Sequence, residues 1–439
     1  MSEPKTSTNM STALAKVADR ARKDPQGRMR SLAHHIDVEA LRRCFGKLRN
    51  DAAKGVDGVT KEQYAQNLEQ NLQELHEKLR TMTYRHQPLR RVHVPKDKPG
   101  TTRPIGISCL VDKIVQSALT ELLGAIYEQD FLDCSYGFRP GKRPHDALKA
   151  LSCAIGQGKA NVILEADVKA YFDSIDRSML LDILQERIAD KSVMRLIGKC
   201  LKVGVLDGQR YFMPEEGTAQ GSVLSPLLGN IYLHYVLDVW FERDIKPRLR
   251  GQAELIRYCD DFVIGFERMD DAQRVMEVLG KRLGRYKLQL QPDKTCLVDF
   301  HRPANQHNGK GPGSFDFLGF TLYWKRNRRS RQWHVSWKTR TARLHRAVNR
   351  AQEWCRSHRN LPIPQQHQAL TRKILGHFNF FGINDNTRSL SLLLYEVRRA
   401  WFKWLNRRSQ RRSYNWEGFK DLLDAFPFPK PRVYVDLWK

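Results

Sequence analysis

Arg257-Tyr258-Cys259-Asp260-Asp261-Phe262-Val263-Ile264 is the stretch on which the fold turns. Two adjacent carboxylates stand between two apolar runs, Leu255–Tyr258 and Phe262–Phe266. The runs read as strands joined by a tight turn. Side chains alternate along a strand, so the acids gather at the end of a hairpin. Two like charges held together are unfavourable unless a cation or a base neutralises them. Magnesium suits the task, because it prefers hard oxygen ligands and takes few of them from protein. A solvent-facing Asp-Asp turn is the competing reading of the same residues.

Upstream, Val162-Ile163-Leu164-Glu165-Ala166-Asp167-Val168-Lys169-Ala170-Tyr171-Phe172-Asp173 repeats the theme. An acid closes an apolar strand, Val162–Val168, and two aromatics follow. Asp167 meeting the hairpin acids across a sheet would complete a two-metal site of the kind that activates a primer hydroxyl and holds a triphosphate. Asp173 and Asp176 are rivals on position alone. Asp176 fits better as the N-cap of a helix over Ser178–Ile188. Glu165 is expected on the opposite face or in a structural role. Ser225-Pro226 opens a further helix, since Pro suits the first helical position, and it runs through Val239. Another helix spans Asp271–Tyr286. Mixed strands and helices from 160 to 300 predict an α+β sheet domain.

With 439 residues, the chain exceeds one compact core, and two or three domains are expected. Lys and Arg number 75 against 48 Asp and Glu, a net charge of +27. Such an excess points to a polyanionic partner, most commonly nucleic acid. The excess is also clustered: Thr321–Arg350 holds ten Lys or Arg and no acid, interleaved with Trp324, Trp333 and Trp337. Such rings can stack on bases or sugars while the cations track phosphates. The eight Cys are scattered without a CxxC pair, which argues against a zinc ribbon or a disulfide framework. No apolar run approaches the ~20 residues of a membrane helix. Met1–Ala13 lacks a signal-peptide stretch, so a cytoplasmic, nucleoid-associated location is expected. A long helix is predicted over Lys61–Met82 from Leu68, Leu72, Leu75 and Leu79. Arg91–Val94 reads as a strand, and Thr341–Leu423 as helical.

Several further blocks fall in a fixed order: Lys96 with Arg103-Pro104-Ile105-Gly106-Ile107; Asp112-Lys113-Ile114-Val115-Gln116; Ser135-Tyr136-Gly137-Phe138-Arg139-Pro140-Gly141; Gly217-Thr218-Ala219-Gln220-Gly221-Ser222-Val223-Leu224-Ser225-Pro226; Pro292-Asp293-Lys294-Thr295; and Phe317-Leu318-Gly319-Phe320. Together with the two acidic blocks, they resemble a group II intron reverse transcriptase and maturase. The resemblance runs from about Leu32, through Gly55-Val56-Asp57-Gly58, almost to the C-terminus. It implies an α+β right-hand polymerase with fingers, a palm built on an antiparallel sheet, and a helical basic thumb/maturase domain. The expected division is 1–60 for an N-terminal extension and RNA-binding block, 61–159 for fingers and 160–305 for palm. A linker and basic segment takes 306–340, and the helical thumb/maturase domain takes 341–439.

By position, the resemblance makes Asp167, Asp260 and Asp261 the catalytic metal ligands, joined by the backbone carbonyl of Val168. The implied cofactor is two Mg2+ ions, with Mn2+ as a substitute. Lys96 and Arg103 match residues that hold the triphosphate, where cations neutralise shifting charge. Gln220 matches a glutamine of the nucleotide pocket. Phe172 matches an aromatic steric gate against the ribose 2′-hydroxyl, with Tyr171 as the alternative. Lys325, Arg326, Arg328, Arg329, Arg411 and Arg412 are expected to bind nucleic acid, whereas Phe378 and Phe381 are expected in a helical core. The implied partners are an RNA template, a DNA or RNA primer, dNTPs and intron RNA, with no membrane.

Two departures stand out. Members usually carry Ala where Cys259 lies, and Pro-Gln-Gly-Gly where Ala219-Gln220-Gly221-Ser222 lies. Neither removes a ligand, but both line the primer and nucleotide pocket, so altered fidelity or primer choice is expected. The sequence stops at Lys439, where many mobile introns add a DNA-binding segment and a nuclease. A bacterial form without that nuclease is therefore expected. Its role is either intron-bound or that of a stand-alone reverse transcriptase with a host task such as DNA repair. A splicing cofactor with incidental polymerase activity is the rival from another functional class.

Overall fold

A computed structural model describes residues 11–95, 100, 102–214, 216–218, 221–304, 313–327, 329–409 and 413–438. Its strands are β1 (Leu89–Pro95), β2 (Thr102–Ile107), β3 (Val162–Asp167), β4 (Val205–Asp207), β5 (Arg210–Phe212), β6 (Ala253–Tyr258), β7 (Asp261–Phe266), β8 (Cys296–Asp299), β9 (Ser314–Phe317), β10 (Phe320–Arg326) and β11 (Trp333–Thr339). They form three sheets, ordered β2-β1-β4-β5, β6-β7-β3-β8 and β11-β10-β9. The chain is thus of mixed α+β class.

The acid-bearing sheet β6-β7-β3-β8 is antiparallel throughout. Its two central strands are buried on both faces, which is why they read as nearly continuous apolar runs. The two-residue period divides their side chains between two cores. Val162, Leu164, Ala166, Phe262, Ile264 and Phe266 enter a core shared with the helices Leu110–Tyr127, Ser225–Leu233 and Met269–Arg285. Ile163, Ile256 and Val263 face the other way, onto β9–β11 and the helix Pro144–Gly156. Leu14, Val17 and Ala21 of the first helix, Thr12–Lys23, join the first core.

Three expectations need correction. The region 306–340 is not merely a linker and basic segment, because residues 314–339 fold into the sheet β9–β11 and share a core with the acid-bearing sheet. Trp324, Trp333 and Trp337 are 6%, 5% and 0% exposed, so these rings build that core and are not available to stack on bases. The stretch Lys61–Met82 is two helices, Lys61–Ala65 and Leu68–Arg80, interrupted where Asn67 leaves helical geometry. A capping box of Thr60 and Gln63 fixes the start of the first.

The helix begun at Ser225 is α-helical to Leu233 and continues as π turns at His234–Asp238 and Phe241–Ile245. Such turns recur at functional sites. Helices Thr341–Ser357, Ile363–Phe381, Thr387–Leu405 and Trp416–Ala425 pack around their own core, including Leu344, Leu370, Phe378 and Trp401. Phe378 is fully buried and Phe381 packs against that core, both as expected.

Candidate active site

The register of the sheet brings the acids together. Asp167, last in β3, lies opposite Asp261, first in β7. Tyr258 also pairs with Asp261, so Cys259 and Asp260 are the two residues of the hairpin turn. Cys259 has φ 61°, a left-handed conformation that glycine usually takes at the first position of such a turn. The turn is held from below by the Arg257 guanidinium, which donates to the Cys259 carbonyl at 3.0 Å. From the side, Gly137 packs so closely on the Cys259 backbone and thiol that a Cβ there has no room.

The electrostatics show a site short of positive charge. Burial raises the Asp261 carboxyl to about 7, and Asp167 and Asp260 add to the rise. The Leu318 backbone N–H donates to Asp261 and offsets part of it. Asp260 is also raised by burial and by Asp167, against the pull of Arg103 and Lys294. These are the marks of like charges crowded in a poorly solvated place. Asp167 forms an ion pair with the Lys294 ammonium, which is itself largely exposed. Among the described residues, no three His, Cys, Asp or Glu side chains are gathered as a metal cage. The donor set nonetheless fits a divalent cation, since all three carboxylates are hard oxygen donors at one strand end.

Val168 continues β3 by pairing with Leu290. The flanking hydrogen bonds, Lys169 N–H to the Gln289 carbonyl and Gln291 N–H to the Asp167 carbonyl, both measure 2.8 Å. In an antiparallel pair of this kind, the backbone groups of the middle residue point away from the partner strand. The Val168 carbonyl is therefore directed toward the hairpin side.

Beneath the turn lies a buried ionic cluster that sequence reasoning missed. Arg257 is 0% exposed. Its guanidinium donates to both Asp238 carboxylate oxygens at 2.7 and 2.5 Å, to Asn230 Oδ1 at 3.0 Å and to Ser135 Oγ at 2.8 Å. Asn230 in turn donates to the Gly137 carbonyl at 2.5 Å. Tyr136 N–H donates to the Arg257 carbonyl and Arg257 N–H to the Cys134 carbonyl, each at 2.8 Å. The Ser135-Tyr136-Gly137 block thus runs beside β6 and walls in the turn. The available signal was an arginine inside the apolar run Leu255-Ile256-Arg257-Tyr258.

On the other side of Asp167, Tyr171 is buried and its hydroxyl donates to the Gly229 carbonyl at 2.5 Å. Phe172 is only half-buried and packs against the edge of the same core. The Phe172 carbonyl accepts the Thr218 N–H at 2.7 Å. Gly221, with φ 104°, lies so close to β2 that a Cβ would come within 2.6 Å of the Gly106 carbonyl. Thr218 is thus tied to Phe172, and Gly221 lies against the strand that carries Arg103. Asp176 caps the helix Arg177–Arg187 by accepting the Met179 N–H at 2.9 Å, as expected. Glu165 accepts the Asp316 N–H at 2.6 Å and is structural. Lys325 is tied to Asp385 at 3.0 Å, and Arg326 donates to the Arg331 carbonyl at 2.9 Å. Arg329 is exposed on the β10–β11 turn. Lys96, Gln220, Arg328, Arg411 and Arg412 lie outside the described residues. Among the described residues, no helix is long and apolar enough to cross a membrane.

The profile of the reverse transcriptase (RNA-dependent DNA polymerase) family matches residues 94–322, more than half of the chain. Protein YkfC of Escherichia coli is 33% identical over 349 residues, covering 71% of this chain and 88% of YkfC. The group II intron-encoded protein LtrA of Lactococcus lactis is 29% identical over 316 residues, covering 59% of this chain and 51% of LtrA. A putative COX1/OXI3 intron 2 protein of Saccharomyces cerevisiae is 32% identical over 214 residues, 48% of this chain and 24% of that protein. The chain thus spans about half the length of LtrA. The family match encloses Asp167, Asp260 and Asp261, and the chain belongs to the reverse transcriptases, RNA-directed DNA polymerases, in their group II intron type.

Proposed function

We propose that this chain copies RNA into DNA at the sheet edge formed by Asp167, Asp260 and Asp261, with two divalent cations, Mg2+ by preference. One observation carries the reading: Asp167 stands in register with Asp261, beside Asp260, and burial, helped by the two neighbouring acids, lifts Asp261 to about 7. The three carboxylates and the Val168 carbonyl would hold the ions. When bound, divalent cations supply an activated primer 3′-hydroxyl and neutralise charge on the triphosphate. Arg103 then faces the triphosphate, and Phe172 lies under the sugar and excludes a ribose 2′-hydroxyl. Lys96 and Gln220 complete the nucleotide pocket in this reading. The Arg257–Asp238 pair fixes the hairpin turn, so that Asp260 and Asp261 need no reorganisation when substrate arrives.

In the same reading, residues 61–159 serve as fingers, 160–305 as palm and 341–439 as a helical thumb, with 1–60 adding an RNA-binding block. The exposed cations of the C-terminal helices favour a second activity on the same protein, binding of intron RNA in support of splicing. Dependence on RNA template, primer and dNTPs follows from the polymerase reading.

The test is incorporation of dNTPs on a primed RNA template by Asp260→Asn. Loss of about 10³-fold or more in kcat is expected, with RNA binding retained. Full activity in the variant would refute the site assignment. Splicing supported by the same inactive variant would establish the second activity as separable.

A further inference from the structure

The Asp112-Lys113-Ile114-Val115-Gln116 block opens the helix Leu110–Tyr127. Asp112 and Gln116, one turn apart and each 1% exposed, point into a buried polar cluster. Asp112 accepts the Tyr84 hydroxyl at 2.6 Å and the Gln87 N–H at 3.2 Å. Those contacts fix the chain as it enters β1. Gln116 reaches in the other direction: its Oε1 accepts the Val223 N–H at 3.1 Å. Its Nε2 faces His86 Nε2 at 2.8 Å and Ser108 Oγ at 3.2 Å.

The orientation of this amide is determined by chemistry. The Val223 N–H is only a donor, so the Gln116 oxygen must face it. The Gln116 nitrogen then donates to His86 Nε2, which must be an acceptor. The His86 proton accordingly sits on Nδ1, which is 2.6 Å from the Gln87 carbonyl and 3.4 Å from Asp112. Each polar atom of Gln116 has a partner, and a flip of the amide would break two hydrogen bonds at once.

The consequence lies at the other end of these bonds. Val223 follows Gly221 and Ser222, and upstream of them Thr218 hangs from the Phe172 carbonyl. Gly221 presses on Gly106 of β2. Gln116 therefore anchors the chain at Val223, two residues after Gly221. Asp112, on the same helix face, anchors the entry to the β1–β2 hairpin that carries Arg103.

We propose that Gln116 is a positioning residue for the nucleotide pocket, setting Gly221–Val223 against strand β2 without touching the nucleotide itself. The inference rests on the polymerase reading above and adds to it the part that sets dNTP affinity. Losing one buried hydrogen bond to Val223 loosens the pocket while leaving the three acids in place.

The test compares steady-state dNTP incorporation by the full chain and by Gln116→Met, which keeps side-chain length but removes the amide. The expected result is a rise in KM for dNTP of about tenfold, with kcat lowered less than about threefold and primer–template affinity unchanged. A general loss of structure would lower the melting temperature and active fraction without moving KM. An unchanged KM in a folded Gln116→Met enzyme would overturn the inference. Should Gln116→Met fail to fold, Ser108→Ala removes one partner of the same amide and is expected to raise KM in the same direction, by about two- to threefold. A Ser108→Ala enzyme with wild-type KM would then overturn it. Absence of dNTP incorporation by the unaltered chain would refute the polymerase reading itself, and this inference with it.

Discussion

The sheet edge that carries the three acids and the helices from Thr341 to Ala425 handle charge in opposite ways. At the edge, cations are committed. Arg257 is fully buried between Asp238, Asn230, Ser135 and the Cys259 carbonyl, and Lys294 is paired with Asp167. In the C-terminal helices, Arg343, Arg350 and Lys373 stand exposed, and none of the ion pairs among the described residues engages them. A buried, paired charge such as Arg257 acts through geometry set before substrate arrives. Exposed charge on long side chains acts by releasing counterions from a polyanion and tolerates movement. In the proposed reading, one protein separates chemistry from grip. The boundary between them is the β9–β11 sheet, whose Leu318-Gly319 turn reaches the acids and whose Gly319 lies beneath Arg343 of the first C-terminal helix.

Breaking the committed side has the largest expected effect. Arg257→Met leaves the Asp238 carboxylate buried and unpaired, so unfolding by denaturant is expected to show a loss of about 3–5 kcal/mol. Adding Asp238→Leu recovers most of that stability, because two apolar groups replace a buried pair. It does not restore the bond to the Cys259 carbonyl, and dNTP incorporation is expected to remain low. Unchanged stability in the single variant would mean that the pair does not hold the hairpin.

The exposed side is sharpened by salt. Arg329→Ala combined with Arg350→Ala is expected to weaken RNA binding at every sequence tested. The slope of log affinity against log salt should fall by about 0.7–0.9 per lost phosphate contact. Filter binding over a range of salt concentrations measures this, and an unchanged slope would remove these two residues from the RNA surface.

The acidic hairpin was legible because two adjacent Asp between apolar runs admit few arrangements, and Asp176 was legible as a cap from its place before a helix. What surrounds them was not. The partners of Arg257 lie 19, 27 and 122 positions away in the chain, and no local pattern links them. The burial of the tryptophans in 321–350 is carried by their period and not by the basic composition around them. Trp333, Val335 and Trp337 alternate with the polar His334, Ser336 and Lys338, which is the period of a strand, and all three apolar side chains are buried. The break at Asn67 carries neither Gly nor Pro to mark it. Cys259 adopts a conformation normally left to glycine because Gly137 and Arg257 enclose the turn, a constraint that only the assembled fold reveals.

A smaller effect separates the two regions by pH. His234, beside the acid-bearing sheet, and His377, in the C-terminal helices, are both lowered to about 4 by burial. Each stays neutral in the folded chain while the unfolded chain takes a proton below about 6.5. Stability from both is present above pH 6.5 and is lost as pH falls toward 4. His377→Phe is expected to flatten only the part of the acid limb that belongs to the C-terminal helices. Thermal melts from pH 7 to 4.5 check this, and an unaltered limb would contradict it.

The most direct test of shared cation binding replaces Mg2+ with Fe2+ and maps backbone cleavage by locally generated hydroxyl radicals. The account predicts cuts around residue 167 and around residue 260 together, both suppressed by excess Mg2+ and both lost in Asp260→Asn. Cleavage at only one of the two positions, or cuts indifferent to Mg2+, would contradict it.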